Sequence, residues 1–253
     1  DDLVGSFLAR PVAVSLGQYH FESDGWRENS GQEQDIFSAY AQWQITPSTS
    51  IQIEKRKLSW AHGNIYFNEV DTGLVEFDRD YERETERFGL KHRISQDSYF
   101  IMSVMDQDIE ETTEGIDLFE IESSTSQIVA PQSVEIQTVR LFDDGHIVIG
   151  AGYLEEEESV SINSSIFGFE LLQSDLSVSY EEFEMYVYAS KAFDHYFGLE
   201  FGVSYVNSDE ASDSTIITFG SSENPKGDVN VEKILPKVGG YVNLNDNWVL
   251  RGA

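Results

Sequence analysis

The chain has 253 residues, and its 46 acidic residues against 16 basic ones give a formal charge of −30 at neutral pH. This charge repels nucleic-acid phosphates, so we exclude nucleic acid as a partner. The absence of cysteine excludes disulfides and thiolate metal sites, while an aromatic content of 13% favours an ordered fold over disorder.

Short stretches of alternating apolar and polar residues recur along the whole chain, which is typical of β-strands with one buried face. In Phe197–Tyr205, for example, every second residue is apolar. The predicted strands are, in chain order, 12–21, 37–45, 51–56, 88–94, 99–105, 134–142, 147–154, 182–190, 197–205, 234–242 and 248–253. The segment 165–172 is predicted as a further strand or as an extension of a loop.

Short turns are predicted to join most of these strands into five hairpins. They are centred near Pro47, Gln96, Asp144, His195 and Asn245. Between the hairpins lie long, polar and mostly acidic segments, which are predicted to be exposed loops: 22–35, 63–86, 106–132, 155–163 and 207–228.

Short turns on one side and long loops on the other are the layout of an outer-membrane barrel. We therefore predict an all-β fold: an antiparallel transmembrane β-barrel with short periplasmic turns and long acidic extracellular loops. Residues 1–253 are predicted to form one domain, located in the bacterial outer membrane. No stretch approaches the roughly 20 apolar residues that a membrane-spanning helix needs.

Aromatic residues lie near the short turns, where the interfacial girdle of a membrane barrel is expected. They are Trp43, Tyr99, Phe142, Tyr196, Phe197 and Trp248. The alternative is that strands simply favour aromatic residues.

Lys55-Arg56-Lys57 places charge on both faces of one predicted strand. There are three alternatives: the strand leaves the membrane there, a lysine stem reaches the interface, or the predicted register is wrong.

The segment Leu235–Ala253 resembles a known barrel pattern. Its Pro236-Lys237 strand, Asn245-Asp246 turn and Leu250-Arg251 strand are similar to those of TonB-dependent receptors. The segment also resembles the barrel region of outer-membrane proteins that carry tetratricopeptide repeats, as does Asp24-Gly25-Trp26-Arg27. The resemblance implies a barrel, but no plug domain, TonB box or 34-residue helical repeat is present to carry over receptor function.

The chain stops at Ala253 within a predicted strand and lacks a terminal aromatic residue. A complete barrel has no free edge. We therefore expect a barrel that is incomplete at its C-terminus and is completed by an additional domain or a partner chain.

No catalytic, cofactor-binding or metal-binding residues are predicted, and we do not expect an enzyme. The five histidines, His20, His62, His92, His146 and His195, are not spaced as a metal pair, and no Gly-x-Ser-x-Gly motif is present. The acidic runs lack a calcium-loop motif, so at most weak Ca²⁺ binding is expected there. Outer-membrane lipid and lipopolysaccharide are the expected partners, with divalent ions as a hypothetical bridge to lipopolysaccharide phosphates.

The polar face of the predicted strands is expected to line the lumen of the barrel. The candidate lumen-lining residues are Gln42, Gln44, Gln52, Glu54, Arg56, Glu182, Glu184, Tyr186, Tyr188, Glu200, Lys233, Lys237 and Arg251. This face favours a pore or an export channel, and acidic mouths would favour cations if the lumen is open. The alternatives are a closed barrel that serves as a surface-anchoring or assembly platform, and a secreted soluble β-sandwich that binds ligands through its loops.

Overall fold

The computed structural model describes residues 2–64, 74–117, 119–193, 196–218, 221–245 and 248–252. These residues form a single antiparallel sheet of thirteen strands. Twelve strands follow one another in chain order across the sheet, and the short β11 pairs only with β10. Within the described ranges there is no helix long and apolar enough to cross a membrane.

The strands are numbered in chain order. Their bounds are Asp2–Ala9 (β1), Val12–Ser23 (β2), Gln32–Thr46 (β3), Thr49–His62 (β4), Leu74–Arg93 (β5), Ser98–Asp117 (β6), Ile121–Phe142 (β7), Gly145–Ile166 (β8), Phe169–Phe193 (β9), Phe197–Thr218 (β10), Ser221–Glu223 (β11), Lys226–Asn245 (β12) and Trp248–Gly252 (β13).

The predicted hairpins are present, and the sheet is continuous, so the alternative of a two-sheet sandwich is wrong. Turns fall at Pro47, Gln96 and Asp144, as predicted. The predicted turn at His195 and the Asp246 part of the last turn lie outside the described residues. Strand β1 was not predicted, because Leu3-Val4 and Phe7-Leu8 are adjacent apolar pairs that break the two-residue period.

The prediction that the long acidic segments are loops is largely wrong. Much of 74–86, 106–132, 155–163 and 207–228 belongs to strands of 20 to 25 residues, roughly twice the length that a bilayer crossing needs. These segments pair as antiparallel ribbons, because ladder hydrogen bonds satisfy their backbone groups. One ribbon ends in the tight turn Phe167-Gly168, where both residues have positive φ angles. The segment 165–172 is therefore a ribbon tip.

The sheet has almost no core of its own. Phe77 is the one large apolar side chain that is buried among the described residues, whereas many others are exposed. The accessible surface is 17189 Å², compared with about 11,000 Å² for a soluble monomer of the same mass. A sheet with this much open surface needs further material against its faces.

Candidate functional site

The strand register separates an apolar face from a polar face. Ile53 pairs with Phe88, Phe88 with Val104, and Val104 with Val134, so one apolar row crosses four strands. A second row on the same face consists of Trp43, Ile51, Leu90, Met102, Ile136, Ala151, Met185, Tyr205 and Ile234. Trp43, Ile136, Met185 and Ile234 are exposed, and the other five side chains of this row are half-buried.

The residues next in sequence to those of the second apolar row point the other way and form a row on the polar face. It consists of Gln42, Gln52, Gly89, Ser103, Glu135, Gly152, Glu184, Val206 and Lys233. Because side chains alternate strictly along a strand, the register places all thirteen predicted lumen-lining residues on this polar face. They form two groups, one on β3 and β4 and the other on β9 to β13. Whether the face lines an aqueous lumen stays a prediction.

The first group forms a hydrogen-bonded patch on β3 to β5. The Tyr40 hydroxyl lies 3.3 Å from the side-chain oxygens of both Gln42 and Gln52. The Arg87 guanidinium lies 3.7 Å from the Glu54 carboxylate. Arg87 was missed in the sequence, because residues up to 86 were assigned to a loop and the polar face of the strand that follows was not considered.

The second group contains a tyrosine pair with an acid on one side and a base on the other. Tyr186 donates a 2.5 Å hydrogen bond to Glu135, two strands away, and its ring stacks on Tyr188 at 5.1 Å between centroids. The Lys237 ammonium donates to the Tyr188 hydroxyl at 3.2 Å and lies 5.0 Å from the ring centroid. Glu135 was also missed, since nothing in the sequence shows that Tyr186 reaches past the neighbouring strand.

Glycines make this arrangement possible. A Cβ at Gly150 would overlap the Tyr186 ring, and a Cβ at Gly202 would overlap the Tyr188 ring. The rings lie flat over the glycines of the adjacent strand, a known way of covering strand glycines with aromatic side chains. The polar face is therefore a packed hydrogen-bonded surface in this region.

Lys55 and Lys57 lie on the apolar face, beyond the row of Ile53 and Phe88. Lys55 forms ion pairs with Glu84 and, at 2.8 Å, with Glu86, and Lys57 lies 3.0 Å from Glu82. The hydrogen bond from Lys55 lowers the pKa of the Glu84 carboxyl, and the bond to Glu82 raises the pKa of the Lys57 ammonium. The predicted register is thus correct, and the apolar band of the strand ends at Ile53.

One histidine cluster has donor atoms suited to a divalent cation. The ligand atoms of His20, Glu33 and Asp35 lie within 4.8 Å of one another, and the His20 and Asp35 side chains are 2.9 Å apart. Sequence spacing alone did not show this cluster, because its members meet across the β2–β3 pairing. Weak Ca²⁺ binding at the acidic segments stays a prediction.

No protein-family model matches the sequence, and no curated protein matches it. Solved structures do match its fold. The ferric yersiniabactin uptake receptor of Yersinia pestis matches over 99% of this chain and 43% of its own, with a TM-score of 0.84 and 12% identity. The siderophore receptor PiuA of Acinetobacter baumannii matches over 97% of this chain and 45% of its own, with a TM-score of 0.80 and 10% identity.

The alcaligin outer membrane receptor of Bordetella pertussis matches over 94% of this chain and 37% of its own, with a TM-score of 0.63 and 13% identity. The chain therefore spans less than half the length of each of these three structures. The predicted antiparallel barrel fold is confirmed, because the chain matches these receptor structures in fold over 94% to 99% of its length.

Proposed function

We propose that the chain forms part of the wall of a barrel in the bacterial outer membrane and that this barrel takes up a solute. The observation that carries the proposal is the pair of apolar rows on one face of the sheet, opposite a face of mainly polar and small side chains. Lipid would cover the apolar rows, and the polar face would line the passage. The matched structures are named as uptake and siderophore receptors, which supports uptake as the direction of transport.

Other strands are needed to close such a barrel. Strands β1 and β13 end the path of the sheet, and they do not pair with each other in the described ranges. Within β1, the side chains of Leu3, Phe7 and Leu8 are 73%, 64% and 80% exposed. Because unpaired edges are not tolerated in lipid, we propose that an additional domain or a partner chain supplies the missing strands.

The absence of native cysteine allows a direct test of the two faces. Val148 and Ile149 are neighbours on β8, and they lie on the polar and the apolar face respectively. In intact outer membranes, a water-soluble maleimide should modify Val148→Cys through the passage, whereas Ile149→Cys should resist it. A fluorophore at Ile149→Cys should in turn be quenched by nitroxide-labelled lipid. Equal modification of the two cysteines would refute the assignment of the faces.

A closed platform gives a different result. Ile149→Cys would again resist the maleimide, but Val148→Cys would resist it too, and the protein would release no entrapped sucrose from liposomes. The uptake proposal predicts both results: the maleimide modifies Val148→Cys, and the protein releases entrapped sucrose from liposomes.

A further inference from the structure

Strand β5 separates its charges by face. The side chains of Asp78, Asp80, Glu82, Glu84 and Glu86 lie on the apolar side, beyond the row of Phe88. Its basic residues alternate with them on the polar face, and we call them the β5 column: Arg79, Arg83, Arg87, Lys91 and Arg93. At about 3.4 Å per residue, the β5 column runs nearly 50 Å along the strand.

Neighbouring groups only partly neutralise the β5 column. Arg79 lies 2.6 Å from Glu111, Arg87 lies 3.7 Å from Glu54, and Lys91 lies 4.7 Å from the centroid of the Tyr99 ring. Arg93 donates a hydrogen bond to a backbone carbonyl. These contacts leave two carboxylates beside five cations.

Arg83 is the exception within the β5 column. Its cross-strand neighbours are the apolar residues Leu58 and Ile109. In the part of the chain that the structure describes, no ion pair or side-chain hydrogen bond involves Arg83, although its surface is half-buried. A guanidinium in this position presents its fork of N–H donors to whatever occupies the space in front of the polar face.

The local charge is therefore opposite to that of the chain as a whole. On the polar face between the rows of Tyr99 and Gly115, strands β4 to β6 carry the β5 column and Arg56 against Glu54 and Glu111. Six basic residues against two acidic ones leave an excess of four positive charges there. Many acidic residues of the polar face lie instead on β8 to β10: Glu156, Glu158, Glu182, Glu184, Glu200 and Glu210.

We infer that the β5 column binds the anionic groups, carboxylate or phosphate, of the solute that passes the barrel. This inference rests on the proposed uptake function and names the chemical class of its substrate. Arginine suits the task, because its planar fork matches the two oxygens of such groups. The preference for cations expected from the total charge does not apply here, since the acids of β5 are on the opposite face.

The test measures binding of a fluorescent trisulfonate dye to the detergent-extracted protein by anisotropy at low ionic strength. Arg83→Gln and Arg87→Gln should each weaken binding about fivefold, the upper end for an exposed charge pair. Lys55→Gln and Lys57→Gln remove the same charge from the opposite face of β4 and should leave binding unchanged. Arg83→Lys keeps the positive charge and should retain most of the dye binding.

Three outcomes would overturn the inference: no dye binding by the unsubstituted protein, wild-type binding by both arginine variants, or equal weakening by Lys57→Gln. Sucrose release from liposomes tests the uptake function separately. Sucrose release together with unaltered dye binding in the arginine variants would refute the anion site and leave uptake standing. Dye binding that depends on Arg83, without sucrose release, would refute uptake and leave the anion site standing.

Discussion

Gly150→Ala tests whether the tyrosine pair is packed as the structure shows. A Cβ at this position would overlap the Tyr186 ring, so the ring must move, and its hydrogen bond to Glu135 is lost with the movement. Overpacking costs about 1–3 kcal/mol. Replacing glycine by alanine within a strand returns roughly 0.5–1 kcal/mol. We expect a net destabilisation of about 1–2 kcal/mol.

The same strand provides the control. Gly152 lies two residues away on the same face, and the nearest atom to a Cβ there is the Val134 carbonyl oxygen at 3.8 Å. Gly152→Ala should therefore stabilise the protein by roughly 0.5–1 kcal/mol. Both variants are measured by equilibrium unfolding in phospholipid vesicles, followed by the fluorescence of the four tryptophans.

A second background separates a steric effect from a backbone effect. When Tyr186→Ala has removed the ring, Gly150→Ala no longer meets an obstacle and should become stabilising. The sign of its effect should thus reverse between the two backgrounds. If Gly150→Ala has the same effect with and without the ring, the packing argument is refuted.

Two further predictions concern the faces of the sheet and the ion pairs. Val187→Arg places a charge in the middle of the apolar rows and should lower the free energy of unfolding in vesicles by about 2–4 kcal/mol. Val206→Arg on the polar face should lower it by under about 1 kcal/mol. Equal unfolding midpoints would contradict the assignment of the faces. Because Lys55 lowers the pKa of the Glu84 carboxyl, the pair stabilises the fold above the unfolded-state pKa of Glu84 and loses this effect as the pH falls through its folded-state pKa. Unfolding midpoints of the protein and of Glu84→Gln should therefore differ at pH 7 and converge in acid, and a difference that persists in acid would show that Glu84 acts through packing.

The charge distribution gives the anion inference its physical basis. A net charge of −30 describes the whole surface, but a solute within a passage is influenced mainly by charges within about a Debye length, roughly 10 Å. The alternation of acid and arginine along β5 directs the two signs to opposite faces. Total charge is therefore a poor guide to selectivity in a barrel wall.

Much of the fold could be predicted from the sequence, because a two-residue period and short turns are local signals. The alternation in Phe197–Tyr205 and the Asp144-Gly145 turn identified strands and hairpins that the structure contains. The same alternation assigned residues to faces, and all thirteen predicted lumen-lining residues lie on one face. Period and turn chemistry depend only on neighbours in the chain.

The extent of the strands and the composition of the candidate site depended on pairing between distant residues. Acidic stretches such as 106–117 are strand because their backbone groups pair with a neighbouring ribbon, and composition alone does not reveal that partner. The contact between Tyr186 and Glu135 joins residues two strands apart, across a glycine that only the register places between them. The apolar cross-strand neighbours of Arg83 likewise follow from the register, which tertiary structure alone decides.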